Sequence, residues 1–423
     1  MMQEPEINVG ITGKRELRFA FDGTFRHGDT LVEGVHSVCY ADGLLKWNGR
    51  LFDSLLFEPV DATSVFELPD VTIGVDFHWQ RNECQRFVGS LNIIPDPVSA
   101  NCVAVNVIGV EEYLKSVISS EMSASASASL LQAHAVVSRS WLLRQLRDRG
   151  KHSCATAERW RRCCVGDAEF DELVKWYDRE DHKLFDVCAD DHCQRYQGVT
   201  RQTTPSVAEA VDSTEGLVLT YGGEICDARF SKCCGGVTET FGNCWEDAPH
   251  PYLEPIDDCD ASGRCFCDTD DQEVLNSVLN NYDRETPDFF RWEVSYTPQE
   301  LSELLQRRSG IDFGEILDLV PLTRGASGRI VRLLVVGNRR SIVVGKELEI
   351  RRWLSNSHLR SSAFEVTRSS DGAFVLRGAG WGHGVGLCQI GAAVMGAEGY
   401  GFREILSHYF PKAELTRLYH KRS

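Results

Sequence analysis

Residues 378–391 read Gly-Ala-Gly-Trp-Gly-His-Gly-Val-Gly-Leu-Cys-Gln-Ile-Gly, with glycine at five alternate positions from Gly378 to Gly386. Glycine is costly to order and offers no packing, so such a run demands a backbone that bends unusually or is approached closely. The spacing never becomes Gly-x-Gly-x-x-Gly, which excludes a dinucleotide fingerprint. Trp381, His383 and Gln389 interrupt the glycines, so the run is not a linker. An apolar helix follows it.

The chain has 423 residues, enough to bury a sizeable core in two or three units. Its net charge of −17 argues against a general nucleic-acid surface and fits a neutral, basic or sugar-like ligand better. No window is apolar for long enough to span a bilayer. The N-terminus, MMQEPEINVG, has neither a basic nor an apolar leader region. The expectation is therefore a cytoplasmic chain, or an export signal outside this sequence. Twelve of the 16 cysteines fall between Cys154 and Cys267. Without a secretion signal, such clusters are more often metal ligands or reduced thiols than disulfides.

Residues 1–100 alternate short apolar runs with turn residues and predict a small β-rich region. Val103–Ile108 predicts a buried strand, followed by a helix with Tyr113, Leu114, Val117 and Ile118 on one face and Ser119-Ser120-Glu121-Met122 at its end. A Ser/Ala loop over 123–129 ends in an N-cap at Ser129. A longer helix then runs from about Leu130 to Arg149, stopped by Gly150. Residues 151–195 read as a polar, Cys-rich insertion or lobe. Val207–Val211 is a short helical or extended segment. Leu217–Tyr221 with Gly222-Gly223 predicts a strand and hairpin turn. Helical patterns recur near 272–282 and 298–308, and strands at 329–336, 341–350 and 372–377. A last helix starts near Gly401.

Five ordered blocks together resemble the stage II sporulation protein D family, also called the amidase-enhancer family. The first is the glycine run with Gly391-Ala392-Ala393 and Glu404 to Pro411. The second runs from Val105-Asn106-Val107 through Glu112-Tyr113-Leu114 and Ser120-Glu121-Met122 to Ser138-Arg139-Ser140-Trp141. The third is Cys188 to Gly198. The fourth is Phe230-Ser231 to Thr238, with Trp245 and Tyr252-Leu253 beyond. The fifth is Arg360 to Phe364. The resemblance covers roughly residues 101–423. It implies a mixed α+β, β-rich domain with several helices around a substrate cleft, preceded by the β-rich region of residues 1–100 and carrying a Cys-rich lobe at about 151–267. It also implies a peptidoglycan lytic transglycosylase, acting on glycan strands or muropeptides to leave a 1,6-anhydro product. A non-catalytic glycan-binding role that stimulates an amidase is the alternative. The chain departs from the family pattern after Met122, where Ser-Ala repeats replace an aromatic and an acidic residue. His134 replaces a usual Gln, and Cys388 a usual Ser.

The resemblance maps the catalytic acid to Glu121 and a family arginine to Arg139. A lytic transglycosylase needs a single carboxyl group, first as acid and then as base, which suits Glu121. Arg139 either contacts substrate or orients Glu121, or it forms a structural ion pair between helices. His182, Cys188, His192 and Cys193 carry ligand types that suit zinc. Adjacent His192 and Cys193 can hardly both ligate. The expected set is His182, Cys188 and Cys193, with His192 as alternate, in a structural role; free thiols or a Cys188–Cys193 disulfide is the competing reading. Cys233, Cys234, Cys259, Cys265 and Cys267 form a second site or pack as thiols. His383 and Gln389 are expected to line the cleft, with Cys233 beside them. Trp381 either stacks on a sugar or covers the glycines.

Overall fold

The computed structural model describes residues 3–73, 81–122, 126–148, 156–177, 182–190, 193–200, 204–278 and 288–420. It is a mixed α+β, β-rich structure with eight α-helices among the described residues. Its contacts group into two units. One comprises Met1–Arg149, Asp181–Val218 and Leu415–Ser423; the other comprises Gly150–Glu180 and Leu219–Glu414.

The first unit is built on an 11-stranded sheet. Strict alternation in Glu16–His27 turns Leu17, Phe19, Phe21 and Phe25 inward, where Phe21 and Phe25 stack at 4.2 Å. The strand Asn101–Gly109 lies between Glu6–Lys14 and Ser90–Asp96, and its residues 102–106 are all buried. The boundary expected near residue 100 thus falls between two paired strands. Helix α1 (Val110–Glu121) follows directly, with Glu111 and Glu112 in the first turn, where acidic groups suit the helix dipole. Helix α2 (Ala128–Asp148) is capped by Ser127, whose Oγ accepts the Leu130 N–H at 3.3 Å. The cap therefore lies two residues earlier than the Ser129 expected, because Ser127 and Leu130 hold the N-cap-to-N3 relation. Gly150, the expected stop, lies outside the described residues. Helix α3 (Pro205–Ser213) resolves the ambiguity at 207–211, with Pro205 in its first turn.

A buried ion pair ties these helices together. Arg139 on α2 bonds Glu111 on α1 through Nε at 2.9 Å and Nη2 at 2.6 Å. Both side chains are almost wholly enclosed (0% and 1% exposed). The Arg139 guanidinium also donates to Leu217 O, and Glu111 accepts from Tyr419 Oη and the Gly216 amide. Burial alone would push the Glu111 carboxyl up. The Arg139 charge and these hydrogen bonds outweigh it and hold the group below its ordinary value.

The second unit carries a five-stranded sheet, ordered Thr156–Val165, Ala168–Tyr177, Ser341–Gly345, Ile330–Gly337, Ile316–Arg324. Part of the segment read as a polar lobe is thus a hairpin that continues a sheet. Its charges mislead because Glu172, fully buried, is held between Arg161 and Arg332 at 2.5 Å each. Helices α4 (Gln272–Val278), α5 (Pro298–Ser309) and α6 (Glu347–Trp353) also belong to this unit. Helix α5 starts on a Thr297/Glu300 capping box and ends on left-handed Gly310. Helix α6 takes up residues expected to extend the strand from 341; Leu301, Leu305, Ile350 and Trp353 pack on the sheet's Leu333, Val335, Ile342 and Val344. Strands Arg291–Tyr296, Ile316–Arg324 and Phe364–Arg368 were not expected from the sequence pattern. Helices α7 (Gln389–Ala397) and α8 (Phe402–Tyr409) close the unit, α8 beginning after Gly401 as expected.

The ion pair makes a pH prediction. The folded Glu111 carboxyl titrates below its unfolded value of about 4.3. Its contribution is therefore complete above that value and disappears as pH falls through the folded one. Arg139→Met should cost about 3–5 kcal/mol in denaturant unfolding at pH 7, because Glu111 is left buried and unpaired. The Glu111→Gln/Arg139→Met double variant should lose less stability than the parent on acidification from pH 6 to 3. Equal acid sensitivity would contradict the assignment.

Candidate functional site

Glu121 is the last residue of α1, half-buried, with Val117, Ile118 and Met122 enclosed beside it in the chain. Its Oε1 accepts the Arg195 backbone N–H at 2.9 Å. Arg195 follows closely on the predicted ligand segment. There, Val187–Cys188 adds in parallel to the strand Glu6–Lys14, and the next turn is folded by Cys193 N–H to Asp190 O and Tyr196 N–H to Ala189 O. The ligand atoms of His182, Cys188 and Cys193 lie within 4.8 Å of one another. His182 Nε2 is 3.5 Å from Cys193 Sγ, which also accepts the Cys188 N–H at 3.4 Å. Cys188 and Cys193 are free thiols. One imidazole and two thiols at this spacing could hold a zinc ion together with a further ligand. His192 lies outside the described residues.

Tyr113 registers how close these groups are. Burial, then negative charge on Cys193, Cys188 and Glu121, pushes its phenol well above the ordinary value. The predicted acid, at the end of α1, thus meets the segment that carries the three predicted ligands through the Arg195 amide. Arg139 has a different setting: its charge is matched by Glu111, in the interhelical ion pair that was the second of its two expected readings.

His383, Gln389, Trp381 and Cys233 belong to the second unit. A short parallel pair, Phe230–Ser231 with Leu387–Cys388, holds the end of the glycine run. Trp381 and Cys233 exchange backbone hydrogen bonds at 2.8 and 3.1 Å, so Cys233 meets the run through its backbone while its side chain is buried. The Trp381 ring lies 5.0 Å from Phe289 and under the Arg360 guanidinium at 5.6 Å. His383 Nδ1 accepts the Val385 N–H at 3.0 Å, and its ring meets Trp245 edge-on at 4.8 Å. Burial, then the Arg229 and Arg329 charges, holds His383 well below its usual range, so the imidazole is neutral at pH 7. Gln389 is buried at the start of α7.

Arg329 is the residue that sequence reading missed. It is fully buried and donates to Cys234 O at 3.0 Å and to Gly382 O at 2.9 Å. A Cβ on Gly384 would stand 2.5 Å from its guanidinium, and one on Gly386 would stand 2.2 Å from Arg229 O; both glycines have φ near +75°, at 76° and 74°. The alternating glycines thus answer both demands read from the sequence, unusual bending and close approach. No local pattern marks Arg329, whose carbonyl partners lie 53 and 95 residues away. The Arg195 amide was equally invisible, because a backbone donor leaves no residue signature. In the same unit, Cys234, Asp258, Cys267 and Cys388 form a buried group that could hold a metal ion.

Gly384→Ala should destabilise the protein by about 1–3 kcal/mol from overpacking, in addition to the cost of a left-handed alanine. Gly372→Ala, also at positive φ but facing open space, should show the backbone cost alone, about 1–2 kcal/mol. Equal losses in thermal unfolding would rule out the Arg329 contact as the constraint.

A family model described as stage II sporulation protein matches residues 99–221, which include α1, Glu121, α2 and the His182–Cys188–Cys193 triplet. A second model, of a domain of unknown function, matches residues 239–386. The chain is 24% identical over 314 residues to stage II sporulation protein D of Bacillus amyloliquefaciens, covering 74% of this chain and 76% of the relative. The same figures hold for stage II sporulation protein D of Bacillus subtilis (strain 168). An amidase enhancer of Bacillus subtilis (strain 168) is 24% identical over 239 residues, 49% of this chain and 32% of that protein. With its motif blocks in order, a stage II sporulation protein model matched over residues 99–221 and relatives at 24% identity along most of its length, the chain is a distant homologue of stage II sporulation protein D.

Proposed function

We propose that this protein is a lytic transglycosylase that cleaves the bond between N-acetylmuramic acid and N-acetylglucosamine in peptidoglycan, with Glu121 as its single acid and base. The observation that carries this reading is the setting of Glu121: a half-buried carboxyl at a helix C-terminus, held by the Arg195 amide. The amide fixes the orientation of the carboxyl, and one oriented carboxyl can serve as acid in the first half-reaction and as base in the second.

In the first half, the Glu121 carboxyl gives its proton to the bridging oxygen, and the bond from that oxygen to C1 of the muramic sugar breaks. In the second, the Glu121 carboxylate takes the proton of the same sugar's 6-hydroxyl while O6 bonds to C1. The products are the 1,6-anhydro sugar and a free 4-hydroxyl, and no water is consumed. Arg139 acts at a distance as a positioning residue, fixing the start of the helix whose end carries Glu121. His182, Cys188 and Cys193 would hold zinc. When bound, zinc would supply a cross-link and a fixed positive charge to the loop that positions Glu121. His383 takes no part in the proton transfer, since it is neutral and bonded to backbone.

Glu121→Gln should lower anhydro-product formation from purified glycan by about 10²–10⁴-fold, read by mass spectrometry. Intact glycan with the parent protein, retained glycan binding and stimulation of an added amidase would replace this reading with the enhancer role named by one relative. Cys188→Ser/Cys193→Ser should lose about one equivalent of bound zinc and some thermal stability. Cleavage abolished by a chelator but retained in Glu121→Gln would instead indicate a zinc hydrolase and defeat the glutamate mechanism.

A further inference from the structure

The second unit contains a side-chain cluster that the glycan chemistry leaves unexplained. Cys234, Cys267, Cys388 and Asp258 are each at most 1% exposed, and their ligand atoms lie within 4.8 Å of one another. Cys234 Sγ is 3.5 Å from Cys267 Sγ and 3.1 Å from Asp258 Oδ2. Four donors bound tetrahedrally at about 2.3 Å stand about 3.8 Å apart, so the cluster already has the size of a single-ion site. All three cysteines are free thiols.

Backbone amides point at two of the sulfurs. Cys388 Sγ accepts the Cys234 N–H at 3.2 Å and the Gly391 N–H at 3.4 Å, and Cys234 Sγ accepts the Gly236 N–H at 3.4 Å. Such donors orient the sulfurs, as outer groups do around metal ligands. Asp258 is anchored from behind: its Oδ1 accepts the Tyr409 hydroxyl at 2.6 Å and lies 3.4 Å from His408 Nε2, while its Oδ2 faces the sulfurs. An outer group that orients a carboxylate ligand is a regular feature of metal centres. A carboxylate enclosed among sulfurs at 0% exposure is costly without a compensating cation.

The chain path supplies a reason for a cross-link. Between the short helix Pro251–Leu253 and α4 there is no α-helix and no strand beyond isolated bridges, so Asp258 and Cys267 sit on a segment with little regular structure of its own. Cys388 begins α7 at the end of the glycine run, and Cys234 lies on the loop that Arg329 ties to it.

We propose that Cys234, Cys267, Cys388 and Asp258 form a second, buried zinc site that fastens the 254–271 segment and the start of α7 to the loop behind the glycine run. Three thiolates and one carboxylate around one small volume suit tetrahedral zinc, and a closed shell of four protein ligands makes the site structural. It is separate from the His182–Cys188–Cys193 group and independent of the reaction assigned to Glu121.

The test uses the full chain in two ways. In a His182→Ala/Cys188→Ser/Cys193→Ser background, purified protein should retain about one equivalent of zinc by elemental analysis. Adding Cys267→Ser or Cys388→Ser should reduce that at least tenfold. Cobalt substituted into the background protein should give thiolate-to-metal absorption that either added substitution removes. The unaltered chain provides the control against misfolded variants. Alkylation of Cys234, Cys267 and Cys388, mapped by mass spectrometry, should quicken at least tenfold when a strong chelator is added. A background protein without metal, zinc retained after Cys267→Ser, a disulfide among the three cysteines, or labelling indifferent to chelator would each overturn the proposal.

Discussion

The first unit depends on one buried ion pair. Arg139 and Glu111 join the middle of α2 to the first turn of α1, and the same two groups take in the Leu217 carbonyl, the Gly216 amide and the Tyr419 hydroxyl. Segments 28, 78 and 308 residues apart thereby meet at a single charge pair. Its net contribution against an apolar substitute can be small, because removing two ions from water is costly. Its geometric contribution is larger, since a bidentate guanidinium fixes direction as well as distance. α1 is held at the end opposite Glu121, and the rigid helix carries that constraint along its 12 residues.

The second unit uses an arginine in another way. Arg329 has carbonyls as its hydrogen-bond partners at Cys234 and Gly382, so it links loops rather than cancelling a carboxylate. The glycine run is the complement of that side chain. Backbone wraps the guanidinium closely enough that any Cβ at Gly384 would strike it. A histidine placed on such backbone is drawn into its hydrogen bonding, as His383 is, and kept neutral by burial and the neighbouring arginines.

The cysteines divide by environment rather than by position in the chain. Cys188 and Cys193 lie half-buried with His182 in a strand-and-turn segment beside the candidate acid. Cys234 and Cys267, on loops, are buried with Asp258 and with Cys388 at the start of α7. Sequence spacing marks the first group because its members lie within 12 residues, a distance over which local folding can bring ligands together. It leaves the second group incomplete because Cys388 is 154 residues from Cys234.

Elements governed by local periodicity were legible in the sequence. The alternating strands of residues 1–100, the buried strand before α1, α1 and its end at Glu121, α5 and α8 all follow from patterns within a dozen residues. The five motif blocks pointed to the family, and the proposed role of a single glutamate rests on that resemblance. Tertiary structure alone decided the rest. It assigned Arg139 to Glu111, and it gave Glu121 an amide partner 74 residues away. It turned the charged segment around Glu172 into sheet and set Arg329 inside the glycine run. The reason is common to all of these. Burial of a charge or a close backbone approach is fixed by partners distant in the chain, and a residue's type shows only that it needs a partner, not which one the fold provides.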